Sequence, residues 1–368
     1  MIHMNNFQAE SKELRSEMLQ ATQKVFESGW YVLGNEVASF EKLWAQHCDS
    51  AYCIGVGNGL DAIEIGLRAL GVGIGDEVIT TAMTAYATTL AVQRTGAVPV
   101  YADINPETAN LDPSSVERCI SKRTKAVLVV HIYGQAAELS RLKKICKDNT
   151  IELIEDCAQA HGSRYNGKSV GSFGRFGAWS FYPSKNLGAI GDAGAITTQD
   201  AELACRMKQL RNYGQSDRYH HDIMGLNSRL DELQAALLKV RLKYLTLWTE
   251  NRRRIAAIYQ DAIFHPFLEL FASPDDLYSH VYHLFALRTK SRTAVREELS
   301  KAGISTLIHY PISAVKQKAL KKYRIDPIGL TQTESYCNDC FSVPIHPFLT
   351  DEEIDQIVTA CNALSKII

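Results

Sequence analysis

Between Ala51 and Gly71 the chain reads "AYCIGVGNGLDAIEIGLRALG": a short apolar run, a turn with glycines at 55, 57 and 59, then apolar residues at helical spacing. A strand that passes through a tight turn into an amphipathic helix is one βα unit. The unit recurs: "DEVITT" leads into "AYATTLAVQRTG", "VPVYADI" into "DPSSVERCIS", "TKAVLVVHIYG" into "ELSRLKKICKDN", and "IELIEDC" follows. Repeated units of this kind build a mostly parallel sheet covered by helices on both faces, a doubly wound α/β domain.

Two further apolar runs, "FGAWSFY" and "AGAITT", flank the stretch "SFYPSKNLGAIGDAGA" from Ser180 to Ala195. They add strands and set Lys185 on a turn next to sheet edges. Ligands of such sheets collect in the crevice at the strand ends, so a cation among small and apolar neighbours there needs a reason beyond solvation.

Past Arg241 the pattern changes. Leu230, Leu233, Leu237, Val240, Tyr244 and Leu247 recur at helical spacing with charges between them, which predicts a long amphipathic helix or a bent pair. A smaller α+β part follows, with strand-like "HLFALRT" and "STLIHYP", helix-like "RTAVREELSKAG" and a closing helix from "TDEEIDQIVTACNAL". The expected division is 1–240 for the large α/β domain and 241–368 for the long helix and small domain, with the N-terminal segment able to pack on the small domain.

Composition excludes several classes. Of 368 residues 46% are hydrophobic and 22% charged, with a formal charge of −1, and the short basic run "NRRR" (Asn251–Arg254) reads as a solvated helix face, so nucleic acid is not an expected partner. The N-terminal "MIHMNNFQAESKELRSEM" lacks the apolar core of a signal peptide, and no run has the length of a membrane helix; a cytoplasmic protein is expected. The nine cysteines are scattered through apparent helices and strands and read as reduced thiols. Cys337 and Cys340 form one close pair, but no second ligand pair stands at matching spacing, and no metal site is expected.

Four places can carry chemistry. The turn Asn58–Gly59–Leu60 can aim backbone N–H groups and a helix N-terminus at a phosphate, or be an ordinary tight turn. Glu155 and Asp156 end an apolar strand, where an acid needs a cation or donors, or caps the next segment. The third is the Lys185 turn, with Ser180 on the strand entering it. The fourth is "GLNSRLDELQAA", where Asn227 and Arg229 precede the long helix; the plain alternative is a cap by Asn227 or Ser228 and a surface ion pair for Arg229. Jointly they supply what pyridoxal 5'-phosphate needs: a lysine amine, an acid for the pyridine nitrogen and donors for the phosphate.

The chain resembles the aspartate aminotransferase superfamily of fold type I, and within it the DegT/DnrJ/StrS sugar-nucleotide aminotransferases. The likeness runs from "GWYVLGNEVASFE" through "GNGLDA", "GDEVI", "RTKAVLVVHIYGQ", "IEDCAQAHG", "SFYPSKNLGAIGDAGAI", "LRNYG" and "NSRLDELQAA" to "LIHYP". It implies that Lys185 binds the cofactor aldehyde, Asp156 pairs with the pyridine nitrogen and Gln159 lies by the ring hydroxyl. Ser180 and the amides of Gly59 and Leu60, beside Asn58, would hold the phosphate, with Asn227 arriving from the second chain of a homodimer with shared active sites. Tyr182, His220, His221, Arg229, His309 and Tyr310 are candidate substrate contacts.

The version "GLNSRLDELQAA", the "RYHHD" loop and the "YPSKNLGA" turn look like enzymes that aminate carbon 3 of a dTDP-linked 3-oxo-6-deoxyhexose, a nucleotide-linked ketosugar, with glutamate as donor. Amination at carbon 4, amination of an inositol ketone and a non-catalytic regulatory homologue are the alternatives. Two departures stand out: Ala85 occupies a position where many members carry an aromatic residue that stacks on the cofactor, and Leu60 replaces a common hydroxyl residue.

Overall fold

The protein is described by a computed structural model covering residues 1–271, 273–274 and 276–365. Its main strands are β1 (Tyr52–Val56), β2 (Glu77–Thr81), β3 (Val98–Ala102), β4 (Thr124–Val130), β5 (Glu152–Asp156), β6 (Gly177–Ser180), β7 (Gly194–Thr198), β8 (Glu269–Leu270), β9 (Phe285–Arg288), β10 (Arg324–Ile325) and β11 (Cys340–Val343). The central sheet runs β1-β7-β6-β5-β4-β2-β3-β10. Only β7 is antiparallel to its neighbours, so the mixed α/β sheet is mostly parallel and flanked by helices, as the repeated βα units imply. β6 and β7 turn out to be inner strands, because β1 crosses over to close that edge; the Lys185 turn therefore lies within the sheet's rim and not beside a free edge.

Both faces are dry, which is why the strands read as unbroken apolar runs. Phe40, Trp44, Val127, Val129, Trp179 and Phe181 belong to the cluster on one face, and Ile54, Ile63, Leu128, Ile154, Phe176 and Ile196 to that on the other. Strand alternation divides the pair at the end of β5: Glu155 and Asp156 point to opposite faces.

The long apolar pattern resolves into a bent pair, the helices Glu232–Leu242 and Leu245–Ala262. Helix Lys12–Ser28 packs on the first of them, while Ile2 bridges to Ile304 and joins the apolar cluster of the small part. That part holds the antiparallel sheet β8-β9-β11 and the helices Arg292–Lys301, Thr331–Asp339 and Asp351–Asn362.

One stretch inside 241–368 crosses back: β10 pairs with β3, and Asp326 is clamped by Arg118 (2.6 Å) and Ser115. The expected strand at "STLIHYP" does not form. Leu307 exchanges two hydrogen bonds with Ser342 (3.2 and 2.7 Å), after which the segment leaves the sheet so that His309 O can accept from Tyr133 Oη at 2.7 Å. Among the described residues no helix is long and apolar enough to cross a membrane.

Candidate active site

Register places the decisive residues at one edge. Gly194 pairs with both Val56 and Ser180, so the turn after β1, the end of β6 and the start of β7 meet where the parallel strands end. The packing there is close: a Cβ on Gly59 would stand 2.7 Å from Ser180 Cβ, and one on Gly194 2.4 Å from the Asn58 carbonyl carbon. Only glycine lets these three segments touch.

Helix Gly59–Ala69 starts at this junction. Asn58 Oδ1 accepts from Asp61 N (2.8 Å), and Asp61 in turn accepts from Ser228 Oγ (2.7 Å). The Asn58 side chain is thus spent on capping, while the first-turn N–H groups of Gly59 and Leu60 have no partner inside the helix. Those two amides and the Ser180 hydroxyl form a cradle of donors that fits a phosphate.

Asp156, at the end of β5, is buried. Its Oδ2 accepts from Thr88 Oγ1 at 2.8 Å and its Oδ1 from Ala158 N at 3.1 Å. Burial holds its carboxyl above the ordinary range; the two donors and the nearby Lys185 cation pull the other way. Lys185 itself is half-buried. Loss of hydration brings its amine down to about 8, and Asp156 resists that fall. The pair is therefore a carboxylate in want of a cation and an amine poised near neutrality.

Gln159 Oε1 accepts from Tyr133 N (2.6 Å) and its Nε2 donates to Tyr310 Oη (3.1 Å), which brings the small part's "HYP" segment over the site. Burial and the Asp156 charge push the Tyr310 phenol up; burial and the Lys185 cation push His309 down to about 4. Ala85 precedes helix Tyr86–Arg94, and Tyr86 turns along that helix to Gln93 (3.4 Å).

Glu155 is no alternative to Asp156. Its carboxylate accepts from the N–H groups of Gly171 (2.7 Å), Phe173 (2.8 Å) and Gly174 (2.8 Å). His131 completes the set: Nδ1 accepts from Ala137 N, so Nε2 carries the proton and donates to Glu155 at 3.1 Å. His131, Glu155 and Cys157 lie close enough to hold a metal, but these donors already saturate the carboxylate, and the grouping is structural.

The structure thus brings together Asn58, Gly59, Leu60, Asp156, Gln159, Ser180, Lys185, His309 and Tyr310. Tyr182 is at the lysine turn but exposed. His220 and His221 are on an exposed hairpin, where His221 bonds Tyr213 O (3.0 Å). Arg229 lies over the Tyr213 ring at 5.6 Å, and Asn227 is exposed. Neither Asn227 nor Ser228 caps the following helix, whose N-cap is Asp231; Ser228 instead accepts from Gly57 N at 3.0 Å. Sequence reasoning missed Thr88, whose place one helical turn after Thr84 was the only cue, and the buried imidazoles of His161 and His283, which had none.

The chain belongs to the DegT/DnrJ/EryC1/StrS aminotransferase family, whose model matches residues 12–362. It is 46% identical over 348 residues to the dTDP-3-amino-3,6-dideoxy-alpha-D-galactopyranose transaminase of Aneurinibacillus thermoaerophilus, covering 95% of each chain. Its fold matches the crystal structure of S. venezuelae DesV with a TM-score of 0.95 at 39% identity, covering 100% of this chain and 99% of that one. It also matches Bacillus subtilis NtdA with bound cofactor PMP, with a TM-score of 0.88 at 32% identity, over 96% and 82% of the two chains. The protein is an aminotransferase dependent on pyridoxal 5'-phosphate, and the donors, acid and amine described above fit that group.

Proposed function

We propose that the protein transfers an amino group from glutamate to carbon 3 of a dTDP-linked 3-oxo-6-deoxyhexose. The observation that carries this reading is the Asp156–Lys185 pair at the strand ends, which a non-catalytic homologue would have no reason to retain; the named activity of the Aneurinibacillus relative supports the sugar. A cytoplasmic location suits a nucleotide-sugar substrate.

The cofactor supplies an electron sink when bound. Lys185 anchors it and, once its amine is free, takes up and returns the proton of the substrate carbon. Asp156 keeps the pyridine nitrogen protonated, which gives its buried carboxylate the cation it lacks. Gly59, Leu60 and Ser180 would hold the phosphate, Gln159 would serve the ring hydroxyl, and His309, Tyr310 and Tyr182 would contact the sugar. Asn227 of the partner subunit completes the phosphate site of a homodimer; the exposure of Asn227, His220, His221 and Arg229's neighbour Tyr213 is what such an arrangement needs.

Two results follow. With an amine pKa near 8, about one Lys185 in ten is unprotonated at pH 7, against roughly one in three thousand for an ordinary lysine. Because the free amine is the nucleophile, the rate at which cofactor-free protein takes up pyridoxal phosphate, followed by absorbance, should rise with pH and level off above about pH 8. Continued growth to pH 10 would contradict the depressed pKa.

Incubation with glutamate and dTDP-3-oxo-6-deoxyhexoses should give the 3-amino-3,6-dideoxyhexose by NMR; an amine at carbon 4 would refute the regiochemistry and leave the chemistry standing. Mixing inactive Lys185→Ala and Asn227→Ala chains should restore partial activity, since one site of each mixed dimer then has both residues. A dead mixture, with mixed dimers present, would refute the shared site.

A further inference from the structure

The shape of the lysine turn is set partly from the small part of the chain. The turn's ends are fixed by its own neighbourhood: Lys185 N donates to Tyr182 O (2.8 Å), Ala189 N to Phe181 O (2.7 Å), and Arg241 Nη1 to Gly188 O (2.7 Å). Its middle is held by Asn186, which follows Lys185 and is buried. Asn186 Nδ2 donates to Val281 O at 2.9 Å, and Asn186 Oδ1 meets His283 Nδ1 at 3.2 Å. An amide oxygen can only accept, so His283 carries its proton on Nδ1. Burial and the surrounding cations of Lys185 and Arg252 keep this imidazole neutral.

The segment that supplies Val281 and His283 is fastened at the far side of the same site. Val281 N donates to Gly134 O (3.0 Å) and Leu284 N to Tyr133 O (3.4 Å). A Cβ on Gly134 would stand 2.9 Å from Val281 Cγ2 and 3.0 Å from His283 N. Tyr133 N is the donor that orients Gln159. Residues 281–284 therefore form a strut between the Gln159 side of the site and the Lys185 side, just before β9.

We propose that His283 is a positioning residue for Lys185: its Nδ1–H holds Asn186, and through Asn186 it keeps the lysine amine turned toward Asp156 and out of water. Its catalytic consequence rests on Lys185 being the cofactor lysine; the claim about the amine does not. The groups whose charge bears on that amine are Asp156 at the end of β5, His161 just after it, His309 in the small part and His283 itself. Burial keeps the three imidazoles neutral, which leaves Asp156 as the acting charge.

The test is made first on cofactor-free protein. Competitive labelling with acetic anhydride across pH, read at the Lys185 peptide by mass spectrometry, reports the amine's own titration. Wild type should show a midpoint near pH 8. His283→Phe fills the volume without the donor. A loosened turn admits water, which raises the midpoint, and lets the amine leave Asp156, which lowers it. Because burial is the larger of the two influences, the midpoint should rise by about one unit or more toward the ordinary lysine value.

His283→Asn presents an amide N–H near the place of Nδ1 and should restore the wild-type midpoint. Asn186→Ala should shift it as His283→Phe does, and the double variant no further. In the loaded enzyme, kcat for His283→Phe should fall about tenfold with KM little changed. A folded His283→Phe or Asn186→Ala protein whose midpoint stays near 8 would overturn the proposal, as would an Asn variant that behaves like the Phe one. Should His283→Phe fail to fold, Asn186→Ala decides alone. If Lys185 were not the cofactor lysine, the midpoint would still shift while kcat did not.

Discussion

Lys185→Ala is expected to abolish transamination, with a loss of at least about 10⁴ in kcat, and to leave the fold intact. The variant loses both the amine that anchors the cofactor and the group that moves the substrate proton, and proton transfer by a positioned side chain alone is worth about 10² to 10⁴. The fold should survive because the cost of this lysine runs in the opposite direction. Its amine titrates near 8 in the folded protein instead of its ordinary 10.5, so the folded state holds the proton more weakly than the unfolded chain. Below pH 8 the charged side chain costs stability, at most about 3 kcal/mol, and the cost fades as pH rises from 8 toward 10.5. Cofactor-free Lys185→Ala should therefore melt at or above the wild-type temperature at pH 7, with the difference shrinking by pH 10. Residual turnover above a thousandth of wild type would count against the assignment.

Asp156→Asn is expected to lower kcat by about 10² or more while the protein still binds cofactor, since a charge that faces a developing charge in a dry site is typically worth that much. The neutral amide cannot keep a ring nitrogen protonated. The neighbouring acid provides the control. Glu155→Gln replaces a carboxylate that accepts three backbone N–H groups and the His131 ring, and its amide end would bring a donor against donors. Its defect should appear as a lower melting temperature, with the kcat of the folded fraction near wild type. Steady-state kinetics on folded protein, with thermal melts of both variants, separates the two carboxylates; a kcat loss in Glu155→Gln and none in Asp156→Asn would reverse their roles.

The sheet was legible because each strand ends in a turn signal and leads into a helical pattern, as "AYCIGVGNGLDAIEIGLRALG" does. The lysine, the acid and the glycine turn were legible because each sits where that frame ends a strand. What stayed hidden was set by long-range packing. β10 is two residues long and pairs with β3 across more than two hundred positions, and "STLIHYP" has strand composition but spends its carbonyl at His309 on Tyr133. Thr88 and His283 act through partners 68 and 97 residues away in the chain. Nothing local marks His283, and only the spacing from Thr84 marks Thr88. The resemblance, by contrast, already chose Asp156 over Glu155, and the sheet supplies the physical reason, since strand alternation turns the two to opposite faces.

The central claim is that Lys185 carries the cofactor, and the most direct measurement is borohydride reduction of the loaded enzyme followed by peptide mapping. The account predicts that the reduced cofactor is found on Lys185 alone, and that Lys185→Ala takes up none covalently. A label on another lysine, or one spread over several, would contradict it.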